Sequence, residues 1–409
     1  MKKHLISAIF ALLFITIPLH LVCMNSMTVQ AIDNNQYIIQ TAPGDKALCG
    51  AFISNTKFIV ANTKDYAAFI DFSAQTTKIT PLPVYPRYIA VNADKSLCAV
   101  SEPYELTIYD TKTDTSYYNI KFEAPHDRPI AFCPKNPLHL FYRQSCSLKG
   151  ITLPDSSNKS ECYATEYLNS YVGNKSIARH FISHPIQENT FLECGKVDHT
   201  SNAECYSYEH QLPNIITITK HMKASAVSAE YNSDGSLIAM MSDDHRIYLV
   251  KDNKAEPFDR ANIYYIPYRG IKFHPNNIVL ALLTADNAIE YWNCLTKEHL
   301  GTTNIDNDNT LYWINNINEA YSTQRMSISP NGTKILVALE KEYRVLNIPF
   351  KVIFQGYTKK QAITALLSLK KYAQQYAQEN NLPDNAIPQD IINLILQIYW
   401  NCDYVEIGE

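Results

Sequence analysis

A polar turn followed by an apolar strand recurs at long, similar intervals along this chain, and no other feature limits its fold as sharply. YNSDGSLIAMM opens one copy at Tyr231. FISNTKFIVA opens another at Phe52, VNADKSLCAVS at Val91, FCPKNPLHLFY at Phe132 and ISHPIQENTFLEC at Ile182. FHPNNIVLALL at Phe273 and ISPNGTKILVAL at Ile328 bring the set to seven. With Ile53 as the first reference, the starts fall 38, 41, 50, 49, 42 and 55 residues apart. Each copy holds an apolar strand end, a turn rich in Asn, Asp, Gly or Pro, and a second apolar strand.

A third, alternating strand follows the second in many copies. AAFIDF from Ala67, LTIYDT from Leu106, RIYLVK from Arg246, AIEYWN from Ala288 and YRVLNI from Tyr343 are examples. Period-two alternation marks strands with one covered face. Asp234-Gly235 and Asn331-Gly332 suit tight turns between them. Strand-only units of this length are too long for most solenoids and match propeller blades of about four short strands. The reading is an all-β chain, a seven-bladed β-propeller over residues 36–355. The alternative is a set of hairpins in a double-sheet sandwich. An open ring would leave two bare sheet edges. QYIIQT, at residues 36–41, has the length to pair beside YRVLNI or KVIFQ and close the last blade; otherwise it is an outer strand of the first.

The units resemble those of WD40-type β-propellers. Ser329-Pro330-Asn331-Gly332 before an apolar strand is typical of that family, and Tyr109-Asp110 and Trp292-Asn293 fall where its Trp-Asp dipeptide would. The resemblance covers roughly residues 45–355. It implies a rigid ring that presents a broad face to a protein or peptide. The chain departs from the family in lacking the Gly-His pair, and blades three and four carry long insertions. Asp243 and Asp244 lie near the turn where the family places a buried polar network, without its histidine, so apolar packing is expected to hold the ring.

The start of the chain reads as an export signal. Lys2 and Lys3 precede an almost unbroken apolar run over residues 5–23, and Val29-Gln30-Ala31 offers small residues for cleavage. Cleavage near Cys23, lipid attachment at Cys23 and a retained membrane anchor are the alternatives. A cleaved signal over residues 1–31 gives a secreted or periplasmic, envelope-facing protein without stable membrane insertion. The formal charge of -4, with no basic stripe, argues against a nucleic-acid partner. Ten cysteines in an oxidising compartment raise the expectation of disulfides. Cys146 with Cys162, and Cys194 with Cys205, flank polar insertions that either pair would staple. Cys49, Cys98 and Cys133 read instead as apolar fillers within strands.

After Gly356 the composition turns to Ala, Leu, Lys and Gln. Residues 358–400 read as a helical hairpin or cap, with Thr358 capping the first helix and Pro388 opening the second. Residues 387–400, IPQDIINLILQIYW, loosely resemble the first helix of an F-box, which implies recruitment of a ubiquitin-ligase adaptor.

No catalytic, cofactor-binding or metal-binding set is expected. HExxH, GxSxG and a glycine-rich phosphate loop are absent from the sequence. His180 and His184 sit in a strand and turn, where an offset of four separates the rings by roughly 13 Å. His126, His139, His199 and His274 are expected in solvated turns. Three long insertions are the expected partner surfaces: those from Ser145, from Lys196 and from Asn304, the last with Tyr312 and Trp313 as aromatic anchors. The leading expectation is therefore an exported, noncatalytic scaffold for a protein or peptide. The alternatives are an exported propeller enzyme with a central active site and an envelope-assembly protein.

Overall fold

The computed structural model describes residues 27–31, 36–41, 45–62, 66–73, 78–82, 86–122, 130–144, 147–154, 163–169, 176–187, 190–197, 205–211, 215–222, 226–242, 246–252, 254–258, 268–305, 325–339 and 341–353. They form an all-β propeller. Strands β1 (Thr28–Ala31) and β2 (Tyr37–Gln40) come first. Blade 1 is β3 (Ala47–Phe52), β4 (Lys57–Asn62), β5 (Tyr66–Asp71) and β6 (Lys78–Leu82). Blade 2 is β7 (Tyr88–Val91), β8 (Leu97–Ser101), β9 (Glu105–Asp110) and β10 (Thr115–Lys121). Blade 3 is β11 (Ile130–Phe132), β12 (His139–Gln144), β13 (Ser147–Thr152) and β14 (Tyr163–Asn169). Blade 4 is β15 (Ser176–Ser183), β16 (Thr190–Val197), β17 (Cys205–Gln211) and β18 (Ile215–Met222). Blade 5 is β19 (Ala226–Tyr231), β20 (Ile238–Ser242), β21 (Ile247–Lys251) and β22 (Lys254–Pro257). Blade 6 is β23 (Tyr268–Phe273), β24 (Val279–Thr284), β25 (Ala288–Asn293) and β26 (His299–Asn304). A closing sheet combines β27 (Met326–Ile328), β28 (Lys334–Ala338) and β29 (Glu342–Asn347) with β1 and β2. Six four-stranded antiparallel sheets and this five-stranded one make the ring.

Each recurring unit is the junction of the first two strands of a sheet, and its turn has a shared logic. Asn92 N donates to Leu97 O and Asn92 Oδ1 accepts from Leu97 N at 2.9 Å. Asn232 repeats this with Leu237, and Ser329 with Lys334 through its hydroxyl. The third residue after each, Lys95, Gly235 and Gly332, turns back to donate to the first residue's carbonyl. The chain then reverses into the second strand through positive φ at that residue: 64° at Lys95, 73° at Gly235, 71° at Gly332 and 65° at the matching Asn277. Only glycine adopts this region without strain, and Asn tolerates it better than most.

Second strands β8, β20 and β24 are buried along their whole length. Each sheet is sandwiched between neighbours, so both faces of its middle strands are covered and the sequence reads as an unbroken apolar run. The core accordingly lies between sheets. Leu106 and Ile108 of blade 2 pack with Phe132 and Leu140 of blade 3, and Ala239 and Met241 of blade 5 with Ile271 and Leu282 of blade 6. Polarity concentrates on outer strands, where β10 mixes exposed and half-buried residues and has no buried one. Pro81, Pro257 and Lys254 stand on such edges, where a missing donor costs no ladder bond and a charge discourages pairing with another chain.

Closure forms as the sequence indicates. Tyr37↔Val345 through Gln40↔Glu342 pair β2 with β29. Tyr37 then stacks on Phe72 of blade 1 at 3.8 Å. The buried Tyr343 hydroxyl accepts from Leu48 N at 3.2 Å and lies within hydrogen-bonding reach of Ala61 O and Asn62 Oδ1. The fifth strand is not anticipated by the sequence. β1, which holds the Val29-Gln30-Ala31 cleavage motif, pairs with β2 and buries Met27 and Val29. A short helix, α1 (Phe350–Ile353), leaves β29 with Val352 and Ile353 buried against blade 6 and the closing sheet. Among the described residues no helix is long and apolar enough to cross a membrane. The apolar run before residue 27, Asp243 and Asp244, the helical tail over residues 358–400 and its F-box-like segment lie outside the described residues.

Candidate functional site at the channel mouth

Seven inner strands, β3, β7, β11, β15, β19, β23 and β27, stand side by side around the axis. Their last residues and the turns that follow enclose a cavity of about 480 Å³. One residue before each strand end points to a common level of its wall. Ala51, Ala90, Ala131 and Ile182 supply an apolar side, while Glu230, Lys272 and Ser327 supply a polar one. Lys272 Nζ and Glu230 Oε1 meet at 2.5 Å across blades 5 and 6. Ser327 Oγ accepts from Phe52 N at 3.0 Å, joining the closing sheet to blade 1. Lys95 reaches the same cavity from the turn of blade 2.

A belt of contacts fixes the turns around this mouth. His274 Nε2 donates to Gly332 O at 2.8 Å, from blade 6 to the closing sheet. Asn331 N donates to Asn55 Oδ1 at 3.0 Å, from the closing sheet to blade 1. Ser183 Oγ donates to Phe132 O at 2.7 Å between blades 4 and 3. Ser233 N and Oγ both donate to Asn277 Oδ1, at 2.7 and 2.6 Å, between blades 5 and 6. His184 packs over Gly235, and its ring lies 4.9 Å from that of Tyr231. The mouth is therefore held rigid by short polar links between neighbouring turns.

The histidines differ from expectation. His139 and His274 are buried, although turn positions suggested solvation. Each has a fixed partner: His139 Nδ1 lies 2.9 Å from Thr152 Oγ1, and His274 Nδ1 accepts from Asn276 N at 3.2 Å. Burial lowers the His274 pKa from its ordinary value. His184 turns its Nδ1 to its own loop, accepting from Ile186 N and Gln187 N at 3.1 and 3.0 Å. All three are turn and strand locks, a role that His-Pro at residues 184–185 and 274–275 hints at. His126 and His199 lie outside the described residues.

Among the described side chains no disulfide forms. Cys49, Cys98, Cys133 and Cys294 are buried free thiols. Desolvation pushes Cys49 and Cys294 up to about 12 and Cys98 higher still, so none of these three is a ready nucleophile. Cys146 and Cys162 lie outside the described residues. Cys194 and Cys205 are on facing strands β16 and β17, one step beyond the pair Glu193↔Tyr206. The insertion expected from Ser145 is partly regular structure, since Ser147–Thr152 is strand β13; Lys149 and Gly150 interrupt the apolar pattern that would have marked it. Tyr312 and Trp313 lie outside the described residues. Among the described residues no group of three or more His, Cys, Asp or Glu is placed to hold a metal. Lys95, Glu230 and Lys272 escaped sequence reasoning because their convergence depends on ring closure. The positive-φ turn position that Lys95 shares with Gly235 and Gly332 was the available signal.

No family model matches the chain, and no curated protein matches it. Among solved structures it is similar to the β-propeller domain of Cps50 (Swd1) from Myceliophteria thermophila. That match has 8% identity and a TM-score of 0.57, covering 74% of this chain and 97% of that one. It is also similar to a chain of hydrazine synthase from Kuenenia stuttgartiensis, at 12% identity and a TM-score of 0.50, covering 73% of this chain and 94% of that one. At these identities the likeness is one of fold.

Proposed function

We propose that this chain is an exported, noncatalytic scaffold that binds a protein or peptide segment at the channel mouth. The observation that carries the reading is the mouth itself: a cavity of about 480 Å³, apolar on one side, polar on the other, and framed by turns tied blade to blade. A rigid concave site loses little entropy on binding, which favours capture of a flexible segment. We count the closing sheet as a blade equal to the other six, which makes the ring seven-bladed, with a divergent WD-repeat pattern. Support for export comes from Lys2, Lys3 and the apolar run behind them. The enzyme alternative needs several acids or histidines converging on the axis. Glu230 is the one acid among the described residues lining the cavity, and it is already held by Lys272.

A photo-crosslinking residue at position 93, on the mouth, and another at Tyr104, in the β8–β9 turn at the other end of the blade, test the reading in the native compartment. Partner adducts from position 93 and not from Tyr104 are expected. Adducts confined to Tyr104 would move binding to the opposite face. A third crosslinker at Trp313 tests that residue as an anchor.

A further inference from the structure

Lys95 occupies a turn position that other blades give to glycine or asparagine, and the reason for the exception lies next door. At Gly235 an added Cβ would fall 2.1 Å from the His184 ring, and at Gly332 it would fall 2.3 Å from the His274 ring. Both histidines belong to the preceding blade's turn. Blade 1, which precedes Lys95, has Ile53-Ser54-Asn55-Thr56 there and no histidine. That turn sets no imidazole over Lys95, whose side chain lines the cavity from a backbone at φ 64°. A left-handed lysine costs about 1 kcal/mol that glycine would avoid, and such strain is retained where the surrounding structure makes use of it.

The charges at this level do not cancel. Lys95 and Lys272 both line the cavity, against the single carboxylate of Glu230, which Lys272 holds at 2.5 Å. Lys95 forms no ion pair among the described residues, and the carboxylates of Glu230 and Asp94 attract it only from a longer distance. Enclosure by the mouth, followed by the charge of Lys272, lowers the Lys95 pKa, which fits two ammonium groups sharing one concave space.

We infer that the mouth selects an acidic peptide, seating one of its carboxylates between Lys95 and Lys272 while its apolar neighbours meet Ala51, Ala90 and Ala131. The inference rests on the peptide-binding reading above. A carboxylate supplies the charge that Glu230 leaves unmet, through charge-assisted hydrogen bonds to two ammonium groups that share one concave wall.

The test uses the full chain and three octapeptides, alternating Ala with Glu, Gln or Lys, with affinity read by calorimetry at low and high salt. The Ala-Glu peptide is expected to bind best and to weaken with salt. Lys95→Gly should weaken it about tenfold or more while the melting temperature holds or rises, because the turn is relieved of a strained residue. Lys95→Arg should keep binding, and Glu230→Gln should tighten it by freeing Lys272. Unchanged affinity in Lys95→Gly, or equal binding of the Ala-Gln peptide, overturns the inference. Ala93→Trp, an exposed rim substitution, separates the two levels. Peptide binding lost in Ala93→Trp but kept in Lys95→Gly leaves the mouth as the site and removes the anion. Binding untouched by Ala93→Trp, or absent for all three peptides, overturns the mouth reading and the inference with it.

Discussion

The imidazole of His274 lies directly over Gly332 of the next sheet, its Nε2 donating to the glycine's own carbonyl at 2.8 Å. The same glycine has φ 71°, and a Cβ on it would stand 2.3 Å from that nitrogen. Gly235 under His184 repeats the arrangement with φ 73°. Gly332→Ala and Gly235→Ala each combine a left-handed backbone penalty with displacement of a buried ring, so each should cost about 2–4 kcal/mol. Chemical denaturation checks this. Lys95→Ala, at the same turn position without a histidine opposite, should change stability by less than about 1 kcal/mol.

The His274 ring also sets a pH dependence. Its Nδ1 accepts from Asn276 N while Nε2–H donates to Gly332 O, so the folded protein holds the neutral tautomer. Burial lowers its pKa below the ordinary 6.5. Between the folded and unfolded values the unfolded chain binds more protons, so stability rises with pH. The contribution is complete above 6.5 and is lost as pH falls from there through the folded value. His274→Gln should flatten the stability profile in that window. A slope unchanged from wild type would place the titration elsewhere.

Asp114 offers a contrast of buried and exposed charge at one carboxylate. Its side chain is 3% exposed and receives Lys57 at 2.5 Å and Lys78 at 3.2 Å. Lys57 is 12% exposed and also donates to Thr111 O, tying blade 1 to the β9–β10 turn of blade 2. Lys78 is 66% exposed. Asp114→Ala strands a buried ammonium and should cost about 3–5 kcal/mol. Lys78→Ala should cost less than about 1 kcal/mol, because solvent screens that arm. Denaturation midpoints of the two variants should therefore separate clearly.

The legible part of this fold was its local chemistry. Turn residues with obligatory positive φ, such as Gly235 and Gly332, and the buried second strands recur in sequence order, so unit boundaries can be placed without structure. β2 was legible too, since an unpaired strand beside a ring needs an edge. Strand β13 was not, because Lys149 and Gly150 break its alternation. The channel mouth was hidden for a different reason. Lys95 and Lys272 lie 177 positions apart in the chain and meet only when the ring closes. His274 misled because a turn position implies solvent only if the next blade's turn is not packed on top of it.

Strand β1 gives the last prediction, on where the chain tolerates truncation. Met27 and Val29 are 1% and 5% exposed, and Thr28↔Gln40 through Ala31↔Tyr37 pair β1 with the closing strand. Burying two such side chains stabilises by about 1.5–3 kcal/mol each. A chain beginning at residue 32, as cleavage after Ala31 would leave, forfeits both side chains and exposes β2 as the sheet edge. It should lose about 3–6 kcal/mol and self-associate through that edge. A chain beginning at residue 24, as cleavage near Cys23 would leave, keeps the strand and should melt at the higher temperature. Melting curves and sedimentation of the two chains decide the matter. Equal stability would show β1 to be dispensable, and a mature terminus mapped after Ala31 in the native protein would show that the ring closes on β2 alone.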